Sequence, residues 1–139
     1  MRIMAIDYGD AHTGIAISDP TGFLAGFTTT IDAYRPEIVM QRITELARQH
    51  GAEELVLGHP KNMDGTLGPR AEKAEAMAAL LKEATGLPVV LWDERRATID
   101  AHQILMAGGK NAKKRKKVVD AVAASLILEG YLTYKKSHS

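Results

Sequence analysis

Leu55-Val56-Leu57, flanked by Glu54 and Gly58, is an apolar run too short for a helix, without the polar alternation of a half-solvated strand. Such a run reads as a strand buried on both faces, and covering both faces of a sheet takes helices above and below it. Val89-Val90-Leu91-Trp92 repeats the pattern further along the chain, and it too reads as a buried strand. Between the two, Ala74, Met77, Ala78 and Leu81 recur with helical spacing until Gly86 and Pro88 close the segment. Two buried strands joined through a helix can be parallel, because the helix supplies the length that a parallel crossover needs.

The chain opens differently. Residues 2 to 6 and 14 to 18 are two short apolar runs separated by the turn-prone Tyr8-Gly9-Asp10, which predicts a hairpin. Residues 23 to 31 bring β-branched and aromatic side chains after Pro20-Thr21-Gly22, predicting a third antiparallel strand. Pro36 suits the first turn of a helix that carries Val39, Ile43, Leu46, Ala47 and His50 to a stop at Gly51. Residues 99 to 107 predict a third helix, capped by Gly108-Gly109, and residues 117 to 134 a fourth.

The resulting order predicts an α/β fold: a five-stranded mixed sheet, three antiparallel strands and then two parallel ones, with helices on both faces. Ribonuclease H-like folds have this order. A Rossmann fold is disfavoured, because the chain opens on a meander and lacks a glycine-rich strand-to-helix turn.

A chain of 139 residues buries about 68 to 70% of its unfolded surface, enough for one core, so a single domain spanning residues 1–139 is expected. A carboxylate at Asp7 interrupts the N-terminus too early for a signal peptide, and no stretch is long and apolar enough to span a membrane. A cytoplasmic location is the expectation. The absence of cysteine excludes thiolate metal sites and cysteine nucleophiles. A net charge of +1 hides an uneven distribution: Lys110, Lys113, Lys114, Arg115, Lys116 and Lys117 place six positive charges in eight positions. Such a segment can draw in a phosphate backbone, and its dense like charge after two glycines predicts a mobile loop. It can equally be a solvated surface run.

Two strand ends and the start of a helix each offer a carboxylate. Asp7 ends the strand Met4-Ala5-Ile6, and Gly9 behind it allows backbone to approach closely; an Asp at a strand end can also simply bond its own turn. Asp93-Glu94-Arg95-Arg96 follows a buried strand at its carboxyl end, where it is either a site or a solvated loop with a local ion pair. Asp120 lies in Val118-Val119-Asp120-Ala121-Val122-Ala123-Ala124, a helix apolar nearly all round. A carboxylate there needs a donor, water or a metal, or the favourable end of a helix dipole. Asp7, Glu94 and Asp120 together form an oxygen-donor set that suits Mg²⁺ or Mn²⁺. Two ions, about 3.5 to 4 Å apart, could activate water against a phosphodiester with no side-chain nucleophile.

The chain resembles the YqgF family, grouped as Holliday-junction-resolvase-like nucleases and as nucleases of pre-16S rRNA. The resemblance covers nearly the whole chain and rests on Asp7-Tyr8-Gly9 with Gly14-Ile15-Ala16, on Gly58-His59-Pro60-Lys61-Asn62-Met63-Asp64-Gly65, on Asp93-Glu94-Arg95-Arg96-Ala97-Thr98 and on Val119-Asp120-Ala121-Val122-Ala123-Ala124. It implies a ribonuclease H-like fold and a metal-binding catalytic triad at Asp7, Glu94 and Asp120. His12, His59 and Ala97 depart from residues common in the family, but none of these departures removes a carboxylate.

Lys61, Asn62 and Arg95 are further candidates for phosphate contacts, although Asn62 to Gly65 is also a turn sequence and Arg95 can pair with Asp93. His12, His50, His59 and His102 show no metal-ligand spacing, and no catalytic histidine is assigned. The leading functional expectation is metal-dependent hydrolysis of structured nucleic acid, with 5′-end processing of pre-16S rRNA ahead of Holliday junction resolution. Ribosomal particles are further candidate partners, and either a monomer or a homodimer is compatible with the sequence. An actin-like ATPase or sugar kinase also begins with an Asp-x-Gly hairpin, but needs two such domains. A non-catalytic RNA- or ribosome-binding module is the alternative of another class.

Overall fold

A computed structural model of the chain describes residues 1–19, 25–59, 68–93 and 112–137. In chain order they form β1 (Ile3–Asp7), β2 (His12–Ser18), β3 (Ala25–Asp32), α1 (Pro36–His50), β4 (Glu54–His59), α2 (Pro69–Thr85), β5 (Val89–Asp93) and α3 (Ala112–Ser137). The helix expected over residues 99–107 lies outside the described residues.

The strands make one sheet in the order β3-β2-β1-β4-β5. β1 is antiparallel to β2, and β2 to β3, while β1 and β4, and β4 and β5, are parallel. This is the expected mixed sheet, and its order is that of a ribonuclease H-like fold.

Side chains alternate across a strand, so each strand feeds two cores. Met4 and Ile6 of β1, Ile15 and Ile17 of β2, and Leu55 and Leu57 of β4 point to a first face, where they meet Val39, Ile43 and Ala47 of α1 and Ala74, Met77 and Leu81 of α2. Ile3 and Ala5, Ala16, and Val56 point to a second face under Ala124, Ile127, Leu128, Tyr131 and Leu132 of α3. Met4, Ile6, Leu55 and Leu57 are all fully buried, and each such side chain contributes about 1.5–3 kcal/mol. The purely apolar runs of β1 and β4 are therefore the consequence of two covered faces.

Both helices of the first face start and stop on backbone devices. Pro36 and Pro69 occupy first-turn positions, where a missing N–H costs nothing. Gly51 and Gly86 end them in the left-handed region, at φ 68° and 69°, which only glycine enters freely.

Two expectations are corrected. β5 is a sheet-edge strand, not a buried one: Val89, Val90 and Trp92 are half-buried and Leu91 is 39% exposed. An apolar run has the same composition at the edge of a sheet as at its centre. The basic segment is also not a loop throughout, because α3 begins at Ala112 and its first turns contain Lys113, Lys114, Arg115, Lys116 and Lys117. Lys, Arg and Ala are good helix formers, and that preference outweighs the mutual repulsion of the charges.

Candidate functional site

Parallel pairing brings the carboxyl ends of β1, β4 and β5 to one edge of the sheet, because Ile6 lies opposite Leu57 and His59 opposite Asp93. β2 starts at the same edge, with Gly14 opposite Asp7. Asp7 alternates with Ile3 and Ala5, which puts it on the second face, and it is only 6% exposed. A carboxylate this buried at the end of an apolar strand must be compensated. Asp93 alternates with Leu91 onto the first face, away from Asp7, and is exposed.

Gly9 fixes the turn behind Asp7. A Cβ built there would sit 2.4 Å from the His12 carbonyl oxygen. The close approach that glycine allows is thus to the chain's own backbone.

α3 lies across the second face. Its later turns are tied to the start of β4, the sheet edge opposite Asp7, by Tyr131 and Lys135. The Tyr131 hydroxyl and the Lys135 ammonium each donate a 2.6 Å hydrogen bond to the two oxygens of the Glu54 carboxylate. Position 120 stands one helical turn before Ala124 and two before Ile127 along α3. Lys113 to Lys117 occupy the turns before it. Glu94, Arg95, Lys61, Asn62 and Lys110 lie outside the described residues. Of the expected triad, Asp7 alone has a described side chain, and among the described residues no three carboxylate or histidine side chains gather into a metal-binding group.

The same sheet edge carries three pairs absent from the sequence reading: His12 with Asp32 at 2.7 Å, His59 with Glu75 at 3.0 Å and Lys73 with Asp10 at 3.0 Å. Their partners are 20, 16 and 63 residues apart in sequence, so no local motif could signal them. His59 points to α2 on the first face. On that face, too, is a cavity of about 320 Å³ lined by Tyr8, Asp10, Tyr34, Lys73, Met77 and Leu80. Burial holds the Tyr8 phenol above its ordinary pKa, partly offset by the Lys73 charge. No helix among the described residues is long and apolar enough to cross a membrane.

Comparison with known proteins agrees with this architecture. A protein of Halothermothrix orenii, named as a candidate pre-16S rRNA nuclease, is 46% identical over 135 residues, covering 97% of this chain and 96% of its own length. The structure of T. thermophilus RuvC in complex with a Holliday junction substrate superposes with a TM-score of 0.67 at 15% identity, covering 100% of this chain and 98% of that one. That likeness establishes a shared ribonuclease H-like fold. A ROK hexokinase from Thermus thermophilus shares part of the fold at a TM-score of 0.51 and 22% identity, but this chain spans only 38% of it. The family described as RuvX, Holliday junction resolvase, matches residues 1–134, and the chain belongs to that family, also known as YqgF.

Proposed function

We propose that this chain is a divalent-metal-dependent nuclease that hydrolyses phosphodiester bonds in structured nucleic acid, with the 5′ end of pre-16S rRNA as its substrate. The observation that carries the reading is Asp7: a carboxylate only 6% exposed, at the carboxyl end of an otherwise apolar central strand. Membership of a resolvase family and a relative named for pre-16S rRNA along nearly its full length support the reaction class and the substrate. The family description equally supports a second substrate, the Holliday junction.

Asp7, Glu94 and Asp120 would hold one or two Mg²⁺ or Mn²⁺ ions, since hard oxygen donors fit those cations and a buried carboxylate on an apolar strand gains most from a cation. Bound there, the ions supply the activation of water and the charge neutralisation that phosphodiester hydrolysis requires. Lys113 to Lys117 at the start of α3, with Lys110, Lys61, Asn62 and Arg95, contact phosphates and orient the strand toward Asp7. In this reading residues 1–139 act as one cytoplasmic domain, as a monomer or homodimer, on free precursor RNA or on ribosomal particles.

A cleavage assay decides the matter. Purified protein is mixed with labelled pre-16S rRNA 5′-end fragments, Holliday junctions, RNA–DNA hybrids and plain duplexes, with Mn²⁺, Mg²⁺ or EDTA. Ion-dependent cutting of the precursor RNA supports the proposal, and preferential cutting of junctions moves it to DNA. Binding without cutting under every ion condition leaves a non-catalytic RNA-binding module.

A further inference from the structure

We infer that His12 is a further catalytic residue, donating a proton to the leaving oxygen, and that Asp32 positions it. The inference rests on the nuclease reading above.

His12 is the first residue of β2 and alternates with Gly14 and Ala16, which places it on the second face with Asp7. Gly14, directly opposite Asp7, has no side chain to stand between them. Diagonal neighbours across an antiparallel pair lie about 7–8 Å apart, within reach of one phosphate group. His59, by contrast, is turned to Glu75 of α2 on the first face.

The orientation of the ring is fixed from the other side. Asp32 lies directly opposite His12 on β3, and its Oδ1 is 2.7 Å from His12 Nδ1. A carboxylate partner only accepts, so Nδ1 carries hydrogen in either protonation state of the ring. With Nδ1 engaged by Asp32, Nε2 is the ring nitrogen that Asp32 does not hold. The His12 side chain is 22% exposed, open enough for a substrate and shielded enough to hold one orientation.

The water oxygen bonds to phosphorus, and the bond from phosphorus to the leaving oxygen breaks with its electron pair on that oxygen. The proton on His12 Nε2 moves to it, leaving a neutral imidazole still hydrogen-bonded to Asp32. Water gives up its own proton to solvent, and His12 regains one from solvent.

The test compares single-turnover cleavage of two substrates at one scissile position: the all-oxygen strand, and one with sulfur at the leaving bridging atom. A thiolate leaves without a proton. His12→Ala and the closer-shaped His12→Gln are expected to slow the oxygen substrate about 100-fold and the sulfur substrate less than about threefold. Asp32→Asn, acting through His12, follows with a smaller loss of the same pattern. Equal slowing of both substrates in both His12 variants, or no slowing of either, overturns the assignment. Failure of the unaltered chain to cleave overturns the nuclease reading and this one with it. Cleavage by the unaltered chain with an unchanged oxygen-to-sulfur ratio in the variants overturns this one alone.

Discussion

Tyr131 and Glu54, 77 residues apart, are joined by a 2.6 Å hydrogen bond from the phenol to the carboxylate, both residues being less than 10% exposed. Lys135 takes the other carboxylate oxygen, and together the three residues pin α3 to the start of β4. Tyr131→Phe is expected to cost about 1–2 kcal/mol, since Glu54 keeps Lys135 but loses a buried donor. Burial first, then the bond to Glu54, raises the Tyr131 pKa above its ordinary value of 10.0. The folded state therefore holds a proton that the unfolded state releases, so this stabilisation is complete below pH 10 and is lost as pH rises toward the folded value. Urea midpoints measured from pH 8 to 11 should fall more steeply for the unaltered protein than for Tyr131→Phe; parallel curves would rule the bond out as a source of stability.

Asp7→Asn, Glu94→Gln and Asp120→Asn should each reduce cleavage by at least about 1,000-fold, because an amide keeps the volume but discards the charge that binds a cation. Nucleic-acid binding should largely survive, as should a cooperative thermal transition. Near-normal cleavage by any one variant, in fresh metal-supplemented protein, removes that residue from the site. Asp93 is its replacement only if Glu94 fails this test, and its exposed position on the first face argues against it.

Replacing Lys113, Lys114, Arg115 and Lys116 together by Gln should weaken binding to every sequence alike. Each lost phosphate contact lowers the slope of log affinity against log salt by roughly one. Turnover at saturating substrate should change far less. An unaltered salt slope would show that the nucleic acid runs elsewhere. Because these residues lie in the first turns of α3, Gln, a good helix former, preserves the backbone.

Gly9→Ala tests the turn beneath the site. Its Cβ would meet a backbone carbonyl at 2.4 Å, and a backbone group cannot rotate aside as a side chain can. A loss of about 1–3 kcal/mol is expected, with a larger loss of cleavage because the shift passes to both Asp7 and His12. Unchanged melting temperature and activity would show that the turn yields freely.

Local sequence determined most of the architecture. The unbroken apolar runs of β1 and β4 require two covered faces, the helical spacing of Val39, Ile43 and Ala47 sets the buried side of α1, and proline and glycine mark where α1 and α2 begin and end. Asp7 was legible for the same reason, as a charge in a segment otherwise built for burial. Neighbours distant in the chain decided the rest. Val89 to Trp92 has the composition of a central strand, and only the order of pairing makes it an edge. The start of α3 was obscured because repulsion among lysines argues against a helix while their intrinsic preference argues for one. Histidine and glutamate spacing says nothing of His12 with Asp32 or of Glu54 with Tyr131, since side chains 20 and 77 residues apart become neighbours only when the sheet closes and α3 lies across it.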